Sequence, residues 1–180
     1  MSPQQSDRVS RVKAALSERH TVALTIWAEA RGEFVAGQGW RQAPIEARIA
    51  VASVIRNRYR TPGRFGLTFK DVCLKPYAFS CWPVEGLDTN SEAVIGRAES
   101  LIAEGDGSVL AKGDAVLREC LWLADGLLAD VFGDRVRGAT HYYAASMPAP
   151  PKWAFYDAAR TRPIEPVAIV GGHRFYAGIR

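Results

Sequence analysis

The segment PIEARIAVASVIRNRY, residues 44–59, predicts a helix at the core of the fold. Ile45, Ile49 and Ile55 recur at the spacing that places side chains along one face of a helix. Pro44 precedes them, and proline is favoured at a helix start because its missing N–H leaves no hydrogen bond unmade. A helix with such an apolar face needs partners, so we expect it to pack inside a helical body.

Five further segments combine helical spacing with start and stop signals. They are residues 7–18, the segment from Thr21 to Gly32, a short segment that Thr68 and Asp71 open with a capping box, and residues 91–104 and 114–131. After residue 138 the pattern changes. ATHYYAA reads as a strand, and VAIVGGHRFYAG as a β-hairpin with Gly171 and Gly172 as its two-residue turn. The sequence therefore predicts a mainly helical α+β fold with a small C-terminal β element.

The bulk composition indicates one globular domain. The chain has 180 residues, 48% of them hydrophobic, and this length and composition are enough to bury a core. Its net charge is +4. We expect a single domain over residues 1–180, with a disordered tail at 1–6, a helical part at 20–137 and a β-rich part at 138–180. The irregular segment KPYAFSCWPVEGLDTN is expected to form an ordered surface loop.

The same composition restricts the partners. A mildly basic chain suits an anionic polymer, but no lysine- or arginine-rich run favours nucleic acid. No run approaches the ~20 apolar residues that a membrane span needs, and the N-terminus has no apolar stretch of the signal-peptide type. We therefore expect a monomer, made in the cytoplasm, that binds no nucleic acid and does not insert stably into membranes.

Cysteine and histidine spacing does not indicate a metal site. Cys73, Cys81 and Cys120 form no CxxC motif, and we expect reduced core thiols, although a Cys73–Cys81 bridge is geometrically possible. No HExxH motif exists, so the sequence predicts neither a metal nor a cofactor. For His141 and His173 a structural, hydrogen-bonded role is the commoner one.

The segment IWAEARGE, residues 26–33, places two acids at the end of an apolar helix. At ~100° per residue, Glu29 lies at the margin of the face that carries Val22 and Ile26, one turn from the helix end. Desolvation and the negative end of the helix dipole both raise the pKa of a carboxyl group in such a position. A general acid must stay protonated in this way. The alternative is an ion pair of Glu29 with Arg31 or with an arginine of the next helix.

Five segments, TIWAEARGE, IAVASVIRNR, DVCLKPYAFSCW, GATHYYAAS and VGGHRFY, follow one another between residues 20 and 178. In this order they resemble the SleB-type (spore-cortex lytic) cell-wall hydrolases, in the compact form of phages and prophages. The resemblance implies a helical body like that of lysozymes and lytic transglycosylases. It also implies that the first acid of EARGE, Glu29, is catalytic. The insert GWRQAPIEARI departs from the family pattern and should lengthen the loop above the cleft, and Gly172 stands where the family has a small polar residue.

This resemblance predicts a muramidase or lytic transglycosylase that cuts peptidoglycan glycan strands in the periplasmic wall, in phage-type lysis or carried in a particle. No clear second carboxylate accompanies Glu29, so the transglycosylase route is favoured. The predicted substrate-binding residues are Glu33, Asn57, Phe79, Trp82, His141 and Tyr143. Tyr142 and Tyr143 must face opposite ways on a strand, so only one of them should face the cleft, and the resemblance implies that it is Tyr143. For Arg58 we expect a solvated charge.

Two other functions compete with this prediction. The first is a zinc-dependent N-acetylmuramoyl amidase that uses His141 and His173. The second is a module without catalytic activity that binds the wall or builds a virion.

Overall fold

Six α-helices and two small antiparallel sheets form the part of the chain that a computed structural model describes, residues 2–35, 39–107, 109 and 113–179. For residues 33–35 and 39–41 this description covers the backbone alone. The helices are α1 (Pro3–Ala15), α2 (Glu18–Ala30), α3 (Ile45–Tyr59), α4 (Phe69–Leu74), α5 (Thr89–Glu104) and α6 (Ala115–Leu128). The strands are β1 (Gly32–Val35), β2 (Gly39–Gln42), β3 (His141–Ala144), β4 (Ala168–Val170) and β5 (His173–Tyr176), and Lys152–Ala154 forms a short 3-10 helix. The mainly helical α+β prediction is confirmed.

The centre of the helical body is α2, which packs against α3, α4, α5 and α6. Every residue from 21 to 27 is buried, so α2 is apolar all round and not only on one face, as a fully enclosed helix must be. Its two buried threonines donate their hydroxyl groups to carbonyls one turn earlier in the chain, Thr25 to Thr21 and Thr21 to Ser17, both at 2.8 Å. The predicted burial of α3 is also confirmed, along Val51 and Ile55 among others.

Side-chain caps set the helix starts. Ser2 and Gln5 form a capping box that starts α1, so the predicted disordered tail is wrong over the described residues 2–6. Ser17 caps α2, four residues before the predicted Thr21. The Thr68–Asp71 capping box of α4 is confirmed. Each such cap stabilises its helix by about 1 kcal/mol.

A hairpin of β1 and β2 follows α2 where the sequence predicts a glycine-rich connection. Gly32 pairs with Gln42 and Val35 with Gly39, and the N–H of Ala43 closes the hairpin on the carbonyl of Arg31. The alternation of apolar and polar residues here is too short to predict strands. The hairpin lies directly after the segment that carries Glu29.

The C-terminal sheet has the order β3-β5-β4, with all neighbours antiparallel. Val170 pairs with His173, so Gly171 and Gly172 form the predicted two-residue turn. Phe175 is fully buried with Ala50 and Val54 of α3. This contact seats the sheet against the helical body and brings β3 near the end of α2.

None of the described helices is both long and apolar enough to cross a bilayer. Cys73, Cys81 and Cys120 are buried, which confirms that these cysteines are core residues.

Candidate active site

Glu29 lies in the last turn of α2, half-buried, at the wall of an open cleft of about 690 Å³. The end of α2 forms one side, and residues 78–80 of the loop after α4 form the next. The first turn of α5, the strand β3 with the residues that follow it, and the β4–β5 turn complete the cleft. The carboxyl group therefore lies where the helical body meets the C-terminal sheet.

Three donors hold the Glu29 carboxylate from two separate parts of the chain. The backbone N–H of Cys81 and the hydroxyl of Ser80 donate to Oε1 at 3.1 and 3.2 Å. The Tyr142 hydroxyl donates to Oε2 at 2.7 Å. Glu29 forms neither of the ion pairs considered for it among the described residues. Arg31 Nη2 donates instead to Asn90 Oδ1 at 2.9 Å, and the α3 arginines donate to other acceptors.

The Tyr142 side chain reaches Glu29 from the face of β3 that turns toward α3. Its ring stacks on Phe175 at 5.4 Å and meets His173 edge-on at 5.4 Å, which fixes the direction of its hydroxyl. Burial and the nearby charge of Glu29 raise the pKa of Tyr142 well above its ordinary value. The hydroxyl thus stays protonated and can either donate to or accept from a carboxyl oxygen.

Arg58, at the end of α3, ties the two sides of the cleft together. It is 5% exposed and donates to the carbonyls of Thr140 and Ala78 at 2.7 and 2.8 Å. Its guanidinium lies over the Phe79 ring at 4.5 Å, and burial lowers its pKa. The expectation of a solvated charge is wrong, since Arg58 is buried and its guanidinium binds the carbonyls of Ala78 in the loop and of Thr140, the residue before β3.

A nucleophilic thiol is not available beside Glu29. Cys81 is fully buried, and burial followed by the charge of Glu29 raises its pKa well above the usual range. A thiol in this state is an inert core group. Cys81 therefore supplies no nucleophile, and the Glu29 carboxyl group is the candidate reacting group.

Glu29 is the only acid among the described side chains that line the cleft. Asp71 and Asp88, the acids on either side of the cleft loop in sequence, cap the starts of α4 and α5. The Glu33 side chain, predicted to bind substrate, lies outside the described part of the chain. One half-buried acid in an open groove suits acid–base chemistry on a polymer.

The comparison with protein families gives a match to the family described as Cell Wall Hydrolase, over residues 42–176. The chain belongs to the cell wall hydrolase family. Peptidoglycan is accordingly its substrate, and the SleB-type resemblance is confirmed. The matched range begins after Glu29, so a catalytic role for Glu29 is supported by the geometry of the cleft and by the EARGE motif, not by this match. The comparisons with curated proteins and with solved structures find no match.

Two predicted substrate-binding residues of this hydrolase line the cleft. Phe79 is 3% exposed and forms part of the wall. Tyr143 also lines the cleft, and its hydroxyl accepts from the Tyr176 hydroxyl at 3.1 Å. The expectation that Tyr142 belongs to the core alone is wrong, since both tyrosines border the cleft and Tyr142 contacts Glu29.

The structure places three other predicted residues elsewhere. Trp82 is 3% exposed and donates its indole N–H to Thr25, so it is a core residue. The Asn57 amide donates to the Ala139 carbonyl at 3.0 Å and joins α3 to the chain before β3. The His141 ring packs against Trp153 with centroids 5.1 Å apart. None of these three side chains lines the cleft.

His141 and His173 do not face each other. His141 pairs with Tyr176 and His173 with Ala144, so the two side chains lie on opposite faces of the sheet. Burial lowers the pKa of His141 to about 4, whereas His173 lines the cleft. These two histidines cannot share one metal ion, and no group of three potential ligands occurs in the described residues.

Several cleft residues were not predicted from the sequence. They are Arg31, Ser80, Asn90 and Tyr142. Only Tyr142 carried a usable signal, because it adjoins a residue already assigned to the cleft. Ser80 and Asn90 belong to a loop and a helix start, and a side chain's direction there depends on tertiary packing.

Proposed function

We propose that this cell wall hydrolase cleaves the glycan strands of peptidoglycan with Glu29 as the single acid and base. The observation that carries the proposal is the position of the Glu29 carboxyl group, held by three donors at the wall of an open cleft of about 690 Å³. An open groove admits a polymer along its length. Glycosidic cleavage needs an acid that protonates the leaving oxygen.

The hydrogen bonds of Glu29 assign different tasks to its two oxygens. Oε1 accepts from both Ser80 and Cys81, so it stays an acceptor throughout. Oε2 is hydrogen-bonded to the Tyr142 hydroxyl. A hydroxyl group can accept from a protonated carboxyl group and donate to an ionised one. The proton to be transferred therefore belongs on Oε2.

The reaction that fits a single acid is an intramolecular one. Glu29 gives its proton to the glycosidic oxygen as the bond to C1 of the muramyl residue breaks. The muramyl 6-hydroxyl then attacks C1 and returns its proton to Glu29, which leaves a 1,6-anhydro end and consumes no water. This route is favoured over hydrolysis because Glu29 is the only described acid on the cleft wall, and hydrolysis by the usual mechanisms requires a second carboxylate.

Clearing of purified sacculi tests the assignment of Glu29. We expect Glu29→Gln to lower the initial clearing rate by at least about a hundredfold, the lower range for loss of a general acid. Glu104→Gln is the matched control, because Glu104 is an exposed acid at the far end of α5, and it should clear at the wild-type rate. Clearing by Glu29→Gln at a similar rate would contradict the proposal.

Mass spectrometry of the released fragments tests the route. Anhydro-muramyl ends, each lighter by one water than a reducing end, are expected as the main product. Reducing ends that disappear with Glu33→Gln would instead assign hydrolysis with Glu33 as the second carboxylate. Free stem peptides with intact glycan strands would favour the amidase alternative.

A further inference from the structure

A second charged group, Arg31, lies in the same cleft two residues beyond Glu29. Arg31 is half-buried and follows the last residue of α2. Its one described side-chain hydrogen bond goes to a neutral amide, Asn90 Oδ1, at 2.9 Å. A guanidinium group has five N–H donors, so most of those of Arg31 have no partner among the described residues.

The Arg31 guanidinium is held in a fixed orientation. It lies over the Trp27 ring, with Cζ 4.5 Å from the centroid, and Asn90 holds one of its ends from the first turn of α5. A planar group that stacks on one side and is hydrogen-bonded at one end loses little further freedom when it binds a ligand. This arrangement is a preformed site, not a mobile surface charge.

Neighbouring arginines differ from Arg31 in the groups that bind their guanidinium. Arg97 also lies over Trp27, at 5.4 Å, but forms an ion pair with Asp114 at 2.8 Å. Arg58, the other arginine on the described cleft wall, is 5% exposed and donates to two carbonyl groups. Of these three, Arg31 alone combines a place on the cleft with open donors.

We propose that Arg31 and Asn90 bind a carboxylate carried by the muramyl residues of the substrate. Guanidinium and carboxylate groups match in a two-bond, planar geometry. In intact peptidoglycan the carboxylates belong to the stem peptide, and in strands without peptides the lactyl group supplies one. Chitin, an amino-sugar polymer without either, has no such group, so this contact distinguishes wall glycan from uncharged polymers. The inference rests on the proposed glycan-strand cleavage, and it adds the recognition of the substrate's charge.

Binding of the hydrolase to sacculi tests this site without catalysis. All proteins carry Glu29→Gln, and the dissociation constant is measured by co-sedimentation with native sacculi and with sacculi whose carboxyl groups have been amidated. We expect Arg31→Gln to weaken binding to native sacculi by about tenfold, the scale of one hydrogen bond to a charged group, and to leave binding to amidated sacculi unchanged. Arg31→Lys, which keeps the charge and loses the planar fork, should fall between.

Arg118→Gln is the matched control, since Arg118 is exposed on α6 and its loss changes the net charge equally. It should bind native and amidated sacculi with the same affinity as the parent protein, which carries Glu29→Gln alone. Equal weakening of both substrates by Arg31→Gln would overturn the proposal, as would equal binding of native and amidated sacculi by the parent protein. Thermal unfolding of each variant identifies any that fail to fold, and in that case Arg31→Lys carries the comparison.

A third substrate identifies the source of the carboxylate. Strands stripped of their peptides by an amidase keep only the lactyl carboxylate. If the Arg31→Gln effect persists on them, the lactyl group is sufficient, and if it disappears, the stem peptide supplies the ligand. The failure of glycan cleavage would appear separately, as free stem peptides with intact glycan strands in mass spectrometry, and it would leave these binding measurements interpretable.

Discussion

Replacing Tyr142 by phenylalanine removes one hydroxyl group and little else. The ring would keep its contacts with Phe175 and His173, so the sheet should fold as before. Glu29 Oε2 would lose a 2.7 Å hydrogen bond. A hydrogen bond to a charged group is worth about 1.5–3 kcal/mol. We therefore expect kcat for sacculus clearing to fall by about ten- to a hundredfold, since each 1.4 kcal/mol corresponds to a factor of about ten.

The assay for Tyr142→Phe separates positioning from substrate binding. Initial clearing rates at several sacculus concentrations give kcat and KM, and we expect the loss in kcat with KM nearly unchanged, because the hydroxyl contacts Glu29 and not the bulk of the substrate. Tyr156→Phe is the control, since Tyr156 is 69% exposed, and it should behave as wild type. A kcat within twofold of wild type, a threshold of about 0.4 kcal/mol, would refute the reasoning about Oε2.

Three further predictions concern groups around the site. Ser80→Ala removes a 3.2 Å hydrogen bond to Glu29, the longest of the three, so clearing should slow by less than about tenfold. Trp82→Ala deletes a 3% exposed indole and its bond to Thr25, and urea unfolding should show a loss of about 3–5 kcal/mol. Burial lowers the pKa of His141 from 6.5 to about 4. Between these two pH values the unfolded chain binds more protons than the folded one, so the free energy of unfolding rises as the pH rises. Because part of the ring is exposed to solvent, we expect this rise in the free energy of unfolding to be about 1–2 kcal/mol. Urea unfolding of His141→Gln at the same pH values should show no such rise.

Local signals predicted the helical body well because each helix carries them in its own residues. The capping box of Thr68 and Asp71 is complete within four positions, and the apolar spacing of α3 is visible over a single segment. The β4–β5 turn is equally local, since two glycines between apolar runs suffice to predict it. The position of Glu29 at a helix end followed from the same kind of evidence.

The partners of Glu29 could not be predicted because they are far apart in sequence. Ser80 and Cys81 belong to a loop whose apolar side chains enter the core, which the sequence suggests only as a surface loop. Tyr142 and Tyr143 differ by one position, and the choice between them depends on how the sheet seats on α3. Arg58 was assigned to solvent because its burial needs two carbonyl acceptors from distant segments.

The wide spacing of these partners has a consequence for how the enzyme is made. Glu29 is separated from Cys81 by 52 residues and from Tyr142 by 113, and closing such long loops carries an entropic cost that the packing of the helices and the sheet must offset. During translation the carboxyl group thus emerges early, as an ordinary solvated acid. A chain that ends before β3 lacks the Tyr142 hydroxyl and the side of the groove that β3 and the β4–β5 turn supply, so on the proposed mechanism we expect a truncated product to be inactive.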